Sequence, residues 1–184
     1  LVVGGAMVNT GTLPSKTLRE TSLFLSGKRF REMYGVNLHE GKKVTVQDLM
    51  FRKNYIVSRE LEMINANLAK HRVTQVRGVA YFIDQNTIGL QGTDQQFSGD
   101  FILIAVGSRP FQPPSIPFEE EAVYDSDEIL WMESIPTSMV IVGAGVIGCE
   151  YACMFAALGI DITLVDPKDS ILPFLDKEIS ALLV

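Results

Sequence analysis

Apolar residues recur at mostly three- and four-residue steps along one stretch: Val46, Leu49, Met50, Ile56, Val57, Leu61, Ile64 and Leu68. That period puts them on one stripe of a long helix and leaves its Arg and Glu residues on a solvated face. Thr45, followed three residues later by Asp48, predicts a capping box in its acidic form at the helix start. A shorter helical stretch opens at Pro14-Ser15-Lys16 and reaches Gly27, with Leu18, Leu23, Phe24 and Leu25 as apolar surface. Residues 1–12 read as a glycine-rich loop and residues 35–41 as a polar connection. After His71 the pattern becomes strand-like. Residues 73–76, 79–83, 87–90 and 96–97 are short strand candidates, separated by turn signals at Asp84-Gln85-Asn86 and Gly92-Thr93-Asp94. They predict a small antiparallel meander. Residues 101–106 form a continuous apolar run, expected to be a buried strand ending at Gly107-Ser108. The Pro-rich stretch 110–117 marks a domain boundary, and Asp125-Ser126-Asp127 is expected to cap a short helix near residues 128–132.

The most informative pattern follows. Met139-Val-Ile-Val142 is a short apolar run, read as a strand, leading into Gly143-Ala-Gly145-Val146-Ile147-Gly148 and a helical stretch. A second strand, Asp161-Ile-Thr-Leu-Val165, ends at Asp166, 23 residues after Gly143 and near the ~20 expected of a dinucleotide-binding fingerprint. In such a unit the first glycine makes a tight turn, the second admits the pyrophosphate, and the third lets helix and strand pack closely. The helix N-terminus offers oriented N–H groups and partial positive charge to the phosphates, and Asp166 accepts from a ribose 2′-hydroxyl. The fold class is therefore α/β, with a dinucleotide-binding unit.

Composition narrows the function classes. The 184 residues are 47% hydrophobic and 21% charged, as in an ordinary globular protein, and their formal charge of −6 without any basic run argues against a nucleic-acid partner. No apolar stretch approaches the ~18 residues needed to span a bilayer, so no membrane partner is expected. With no visible signal segment, the expected location is the cytoplasm. The chain starts at Leu1 rather than Met and stops shortly after the second fingerprint strand, which reads as an internal fragment of a longer protein. Cys149 and Cys153, four residues apart on one helix, project nearly parallel; they suit helix packing better than a disulfide or a metal. His39 and His71 show no ligand or triad spacing.

Gly4-Gly-Ala-Met-Val-Asn-Thr-Gly-Thr-Leu-Pro-Ser-Lys16 resembles the active-site segment of the flavoprotein disulfide reductases, such as dihydrolipoamide dehydrogenase. Gly78-Val-Ala-Tyr-Phe82, Ile104-Ala-Val-Gly-Ser-Arg-Pro110 and Gly143-Ala-Gly-Val-Ile-Gly-Cys-Glu-Tyr151 extend the resemblance in the family's order over essentially the whole chain. It implies two dinucleotide-binding (Rossmann-like) domains, both incomplete here. Residues 1–114 would be part of an FAD-binding domain carrying the meander, and residues 115–184 the first part of an NAD(P)-binding domain. The family's two redox cysteines fall at Met7 and Thr12. A thioether and a hydroxyl cannot perform thiol–disulfide exchange, which requires a thiolate. The subgroup with Thr at the second position resembles the soluble pyridine nucleotide transhydrogenases, and Tyr124-Asp-Ser-Asp127 is similar to that subgroup too. The resemblance then implies hydride transfer between NADPH and NAD⁺ through FAD, without a redox disulfide, in a homodimer. The alternatives are a flavin-dependent NADH oxidase or diaphorase on the same scaffold, or a catalytically silent nucleotide-binding module.

By the same resemblance, Lys16 is the lysine placed near flavin N5, and Glu150 is the glutamate that pairs with it across the domain boundary. Gly5 would lie near the FAD phosphates or ribose, Ala80 near the adenine, and Gly107 and Ser108 at a strand end near the flavin. Gly143, Gly145, Val146, Ile147 and Gly148 form the NAD(P) phosphate turn. Asp166 disfavours a 2′-phosphate by like charge, partly offset by Lys168, so NAD(H) is expected to be preferred over NADP(H).

Overall fold

The computed structural model describes residues 3–27, 33 and 44–182; the expected polar connection at 35–41 and His39 lie outside them. The N-terminal part holds α1 (Gly5–Asn9), α2 (Thr12–Leu25) and α3 (Val46–Lys70). The long helix begins where the sequence places it. Thr45 accepts from the Asp48 amide while the Asp48 carboxylate accepts from the Thr45 amide, closing the capping box. Along α3, Leu49 and Met50 are buried and the remaining apolar stripe positions are half-buried. One charged residue, Lys53, lies buried on that stripe.

Two helical expectations need correction. Helix α1 occupies part of the presumed loop. Its chain enters through Gly4 and Gly5, both at positive φ, and the Asn9 amide donates to the carbonyls of Val3 and Gly5. Helix α2 begins at Thr12, two residues before Pro14, so Lys16 sits one turn in rather than at the helix start.

Strands β1 (Ala80–Asp84), β2 (Thr87–Leu90) and β3 (Gln96–Ser98) form the antiparallel meander in the order β1-β2-β3. Asp84 accepts from the Asn86 amide at the first turn, and the Asn86 side chain donates to the Gly99 carbonyl, holding the end of β3. Tyr81 lies opposite Gly89 and its ring fills the space a side chain there would need. Residues 73–76 are exposed and carry no strand. Neither do residues 101–106, where Phe101, Leu103 and Val106 are 96%, 90% and 91% exposed. A strand exists by its ladder, and among the described residues no neighbour pairs with this run.

A 3₁₀ turn (Glu128–Trp131) precedes β4 (Ser138–Val142), α4 (Val146–Ala157), β5 (Asp161–Val165) and a final short helix, α5 (Lys177–Ala181). The cap of the 3₁₀ turn is Asp125, not Asp127: its carboxylate accepts from the amides of Asp127 and Glu128. β4 and β5 pair in parallel from Ser138↔Asp161 to Val142↔Val165, with α4 as the crossover. Met139 and Ile141 point toward the core while Val140 and Val142 face outward, the alternation a pleated strand imposes.

The core crosses the boundary expected near residue 115. Leu18 of α2 and Leu49 and Met50 of α3 pack in one cluster with Ile129, Leu130 and Met132 around the 3₁₀ turn and with Tyr151, Met154 and Phe155 of α4. The Tyr151 hydroxyl donates to the Ser126 carbonyl at 3.1 Å, and its ring stacks on Phe155. Burial pushes the Tyr151 hydroxyl far above its ordinary pKa, so it remains a donor. This shared core brings the N-terminal helices against the glycine fingerprint.

Candidate functional site

The fingerprint turn is built from the end of β4. Gly143 donates its amide to the Val165 carbonyl at 2.7 Å, which extends the β4–β5 ladder, and then takes a φ of +105° that favours glycine. The chain enters α4 through Gly145, whose missing Cβ faces open space. At Gly148 the reverse holds. A Cβ there would overlap the Gly143 carbonyl oxygen and approach its carbonyl carbon to 3.1 Å. The third glycine closes the turn on itself and the second keeps its outer side clear. Val146 and Ile147 are exposed at the helix start, where first-turn amides have no intrahelical partner. Open space at Gly145 together with outward amides fits a pyrophosphate. Cys149, next along the helix, donates its thiol to the Ala144 carbonyl at 3.4 Å, and burial pushes its pKa up.

Asp166 has a second task that the fingerprint alone does not show. One carboxylate oxygen accepts from the Ala144 amide at 2.6 Å and the other from the Lys168 amide at 2.8 Å. These backbone donors hold its pKa below the ordinary carboxylate value. Asp166 thus ties the glycine turn to the end of β5, and a carboxylate has further lone pairs to accept from a ribose hydroxyl. Because the folded-state pKa is depressed, this stabilisation is present above the ordinary Asp value of ~3.9 and is lost as pH falls through the lower, folded value. The Asp166→Asn protein should lack that component of acid sensitivity. Hydrogen exchange at the Ala144 amide between pH 3 and 6 reads it; equal pH dependence in both proteins would refute the tie.

The second constellation spans 134 residues of sequence: Lys16 Nζ donates to a Glu150 carboxylate oxygen. Lys16 is 59% exposed and Glu150 19%, so the pair lies at the mouth of the junction between α2 and α4, not inside the core. Thr10, between α1 and α2, lies near Asp127; burial raises the Asp127 pKa and the Thr10 side chain opposes the rise. Met7 is exposed on α1, and Thr12, also exposed, opens α2.

The remaining residues expected to meet FAD are Gly5, Ala80, Gly107 and Ser108. Gly5 and Gly107 both have positive φ and meet nothing within 4 Å of a built Cβ, which fits close approach of a ligand to the backbone. Ala80 opens β1, and Ser108 follows Gly107 outside regular structure. Among the described residues, no hydrogen bond or ion pair joins these four to Lys16 or Glu150. No described helix is long and apolar enough to cross a membrane. Sequence reading missed the Ala144–Asp166 tie, the Thr10–Asp127 contact and the buried Lys53; only Lys53 had left a signal, as a charge on an apolar stripe.

Comparison with known proteins identifies the family. The profile of the family described as pyridine nucleotide-disulphide oxidoreductase matches residues 1–184. The soluble pyridine nucleotide transhydrogenase of Mycobacterium tuberculosis is 44% identical over 182 residues, covering 97% of this chain and 39% of the relative. That of Colwellia psychrerythraea is 36% identical over 181 residues, with the same shares. Among solved structures, the HOCl-induced flavoprotein disulfide reductase RclA from Escherichia coli superposes with a TM-score of 0.81 at 26% identity, over 98% of this chain and 38% of that one. The chain thus spans about two-fifths of the length of the relatives it matches. With the fingerprint, the Lys16–Glu150 pair and a family profile covering every residue, this chain belongs to the pyridine nucleotide-disulphide oxidoreductase family.

Proposed function

We propose that these residues belong to a soluble, FAD-dependent pyridine nucleotide transhydrogenase that moves hydride between NADPH and NAD⁺ without a redox disulfide. The observation that carries this reading is the Lys16–Glu150 pair, kept beside Met7 and Thr12 where the family has its cysteines. Residues 1–114 contribute to the FAD-binding domain and residues 115–184 begin the NAD(P)-binding domain. FAD, when bound, supplies the two-electron acceptor that lets one nucleotide reduce another.

The chain's own residues bind and orient. Gly5, Ala80, Gly107 and Ser108 meet FAD, with Gly5 and Gly107 open for close approach. Gly143, Gly145, Val146, Ile147 and Gly148 receive a nucleotide pyrophosphate, and Asp166 receives the ribose. Lys16 holds positive charge where the flavin ring binds, and Glu150 fixes the direction of that ammonium. With no thiol pair to accept electrons, a reduced nucleotide and an oxidised nucleotide use the same NAD(P) site in turn. Asp166 makes NAD(H) the preferred occupant, with Lys168 permitting weaker NADP(H) use; a tenfold tighter NADP(H) Kd would overturn that order. The complete protein is a cytoplasmic homodimer in this reading.

The full-length protein tests it. Its visible spectrum should show flavin, and NADPH should reduce the thio analogue of NAD⁺ with no thiol or disulfide added. Transfer only to oxygen or quinones would establish a diaphorase instead, and absence of flavin would leave a nucleotide-binding module.

A further inference from the structure

Among the described residues Lys53 is the most deeply buried charge, 2% exposed. Its ammonium donates to the Leu130 carbonyl at 2.8 Å and lies 4.2 Å from the centroid of the Trp131 ring. Among the described residues no carboxylate pairs with it, and burial pulls its pKa below the ordinary lysine value. Desolvating an unpaired ammonium is unfavourable, and an apolar side chain of similar length would fill the same space without that cost. Packing alone therefore gives no reason for a lysine here. What the ammonium adds is direction: it grips one carbonyl and one ring of the 3₁₀ turn.

That turn is tied to α4 at the residue next to Glu150. Ser126, just before it, accepts from the hydroxyl of Tyr151, the neighbour of Glu150 on α4. Leu130 is fully buried among Leu49, Met50 and Tyr151 in the shared core. The contacts make a closed circuit. Helix α2 packs on α3, Lys53 joins α3 to the turn, Tyr151 joins the turn to α4, and Glu150 returns to Lys16 on α2. A closed circuit has fewer ways to relax than an open chain of contacts, so each link fixes the others.

We propose that Lys53 is a positioning residue for the Lys16–Glu150 pair, acting by clamping the Glu128–Trp131 turn from α3. This rests on the reading that the pair works beside a bound flavin. Lys53 itself touches neither member of the pair; its effect travels through the turn and Tyr151. Because Lys16 is largely exposed, the surrounding solvent does not hold its ammonium in one place, and the precision must come from the circuit.

The test is a double-mutant cycle in the full-length flavoprotein, read as the single-turnover rate at which NADPH reduces the flavin. Lys53→Met keeps the stem and removes the charge. It should slow reduction about tenfold or more, within the scale on which small misplacements act, with NADPH Kd little changed. Combined with Glu150→Gln, it should add little to the loss that Glu150→Gln already causes. Losses that multiply independently would overturn the proposal, as would an unchanged rate beside a lowered thermal midpoint, the signature of a purely structural lysine. If Lys53→Met does not fold, Trp131→Leu removes the exposed ring above the ammonium instead. It should show a smaller loss with the same non-additivity, and additive losses again defeat the idea. Wild-type protein that binds flavin but is not reduced by NADPH would defeat the hydride-transfer reading and this proposal with it. An active wild type with an indifferent Lys53→Met defeats this proposal alone.

Discussion

Gly148→Ala and Gly145→Ala should fail in opposite ways although they lie three residues apart. At Gly148 the added methyl overlaps the Gly143 carbonyl, part of a backbone held by the hydrogen bond from the Gly143 amide to the Val165 carbonyl. Such a neighbour cannot rotate aside as a side chain would. Overpacking of this kind costs about 3 kcal/mol or more, against roughly 1 kcal/mol that alanine gains over glycine inside a helix. The net result should be a lower thermal midpoint and loss of nucleotide binding together, because the turn that shapes the site is the part displaced. At Gly145 the methyl meets nothing within 4 Å, and its φ of −76° suits alanine. Stability should fall by only about 0.5 kcal/mol, the scale of exchanging residues at a helix N-cap. The methyl nevertheless projects into the open space proposed for the pyrophosphate, and nucleotide affinity should drop at least about tenfold, or ~1.4 kcal/mol. Calorimetric Tm and nucleotide titration on both variants check this. Equal Tm losses would show that the clear space at Gly145 is incidental, and normal binding in both would remove the turn from the site.

This contrast between neighbouring glycines shows what was legible in the sequence. Motif spacing gave the strand, turn, helix and acidic residue, because those are local and each glycine's task follows from the turn. The capping box of α3 was legible for the same reason: Thr45 and Asp48 are three residues apart and satisfy each other. Residues 101–106 were misread because an apolar run reports a wish for burial and not the partner that supplies it. Helix α1 was missed because five residues hold too little period to detect, and its start depends on Gly4 and Gly5 at positive φ. The Ala144–Asp166 tie involves a backbone amide, which no residue type announces. Lys53 was visible as a charge three residues after Met50 on the apolar stripe, yet nothing local says that Leu130, 77 residues away, receives it.

The Lys16–Glu150 pair is the part of the site for which stability and function make different demands. Its residues are 134 apart, so periodicity could not join them; the family resemblance did. With Lys16 mostly in water, the pair is worth about 0–1 kcal/mol to folding, since solvent screens it and both side chains lose freedom on pairing. Lys16→Met and Glu150→Gln should therefore fold with Tm near that of wild type. If the ammonium stabilises charge that develops as flavin is reduced, Lys16→Met should slow reduction by NADPH about 10²-fold, the scale of removing one preorganised electrostatic contact. Glu150→Gln keeps the ammonium and loses only its anchor, so its loss should be smaller. The double variant should match Lys16→Met alone, because an anchor has nothing to hold once the charge is gone. Stopped-flow reduction of the full-length protein at saturating NADPH separates these cases. Normal rates in both single variants would make the pair a surface bridge between α2 and α4. A larger loss in Glu150→Gln than in Lys16→Met would reverse the roles and place the carboxylate, not the ammonium, at the reacting centre.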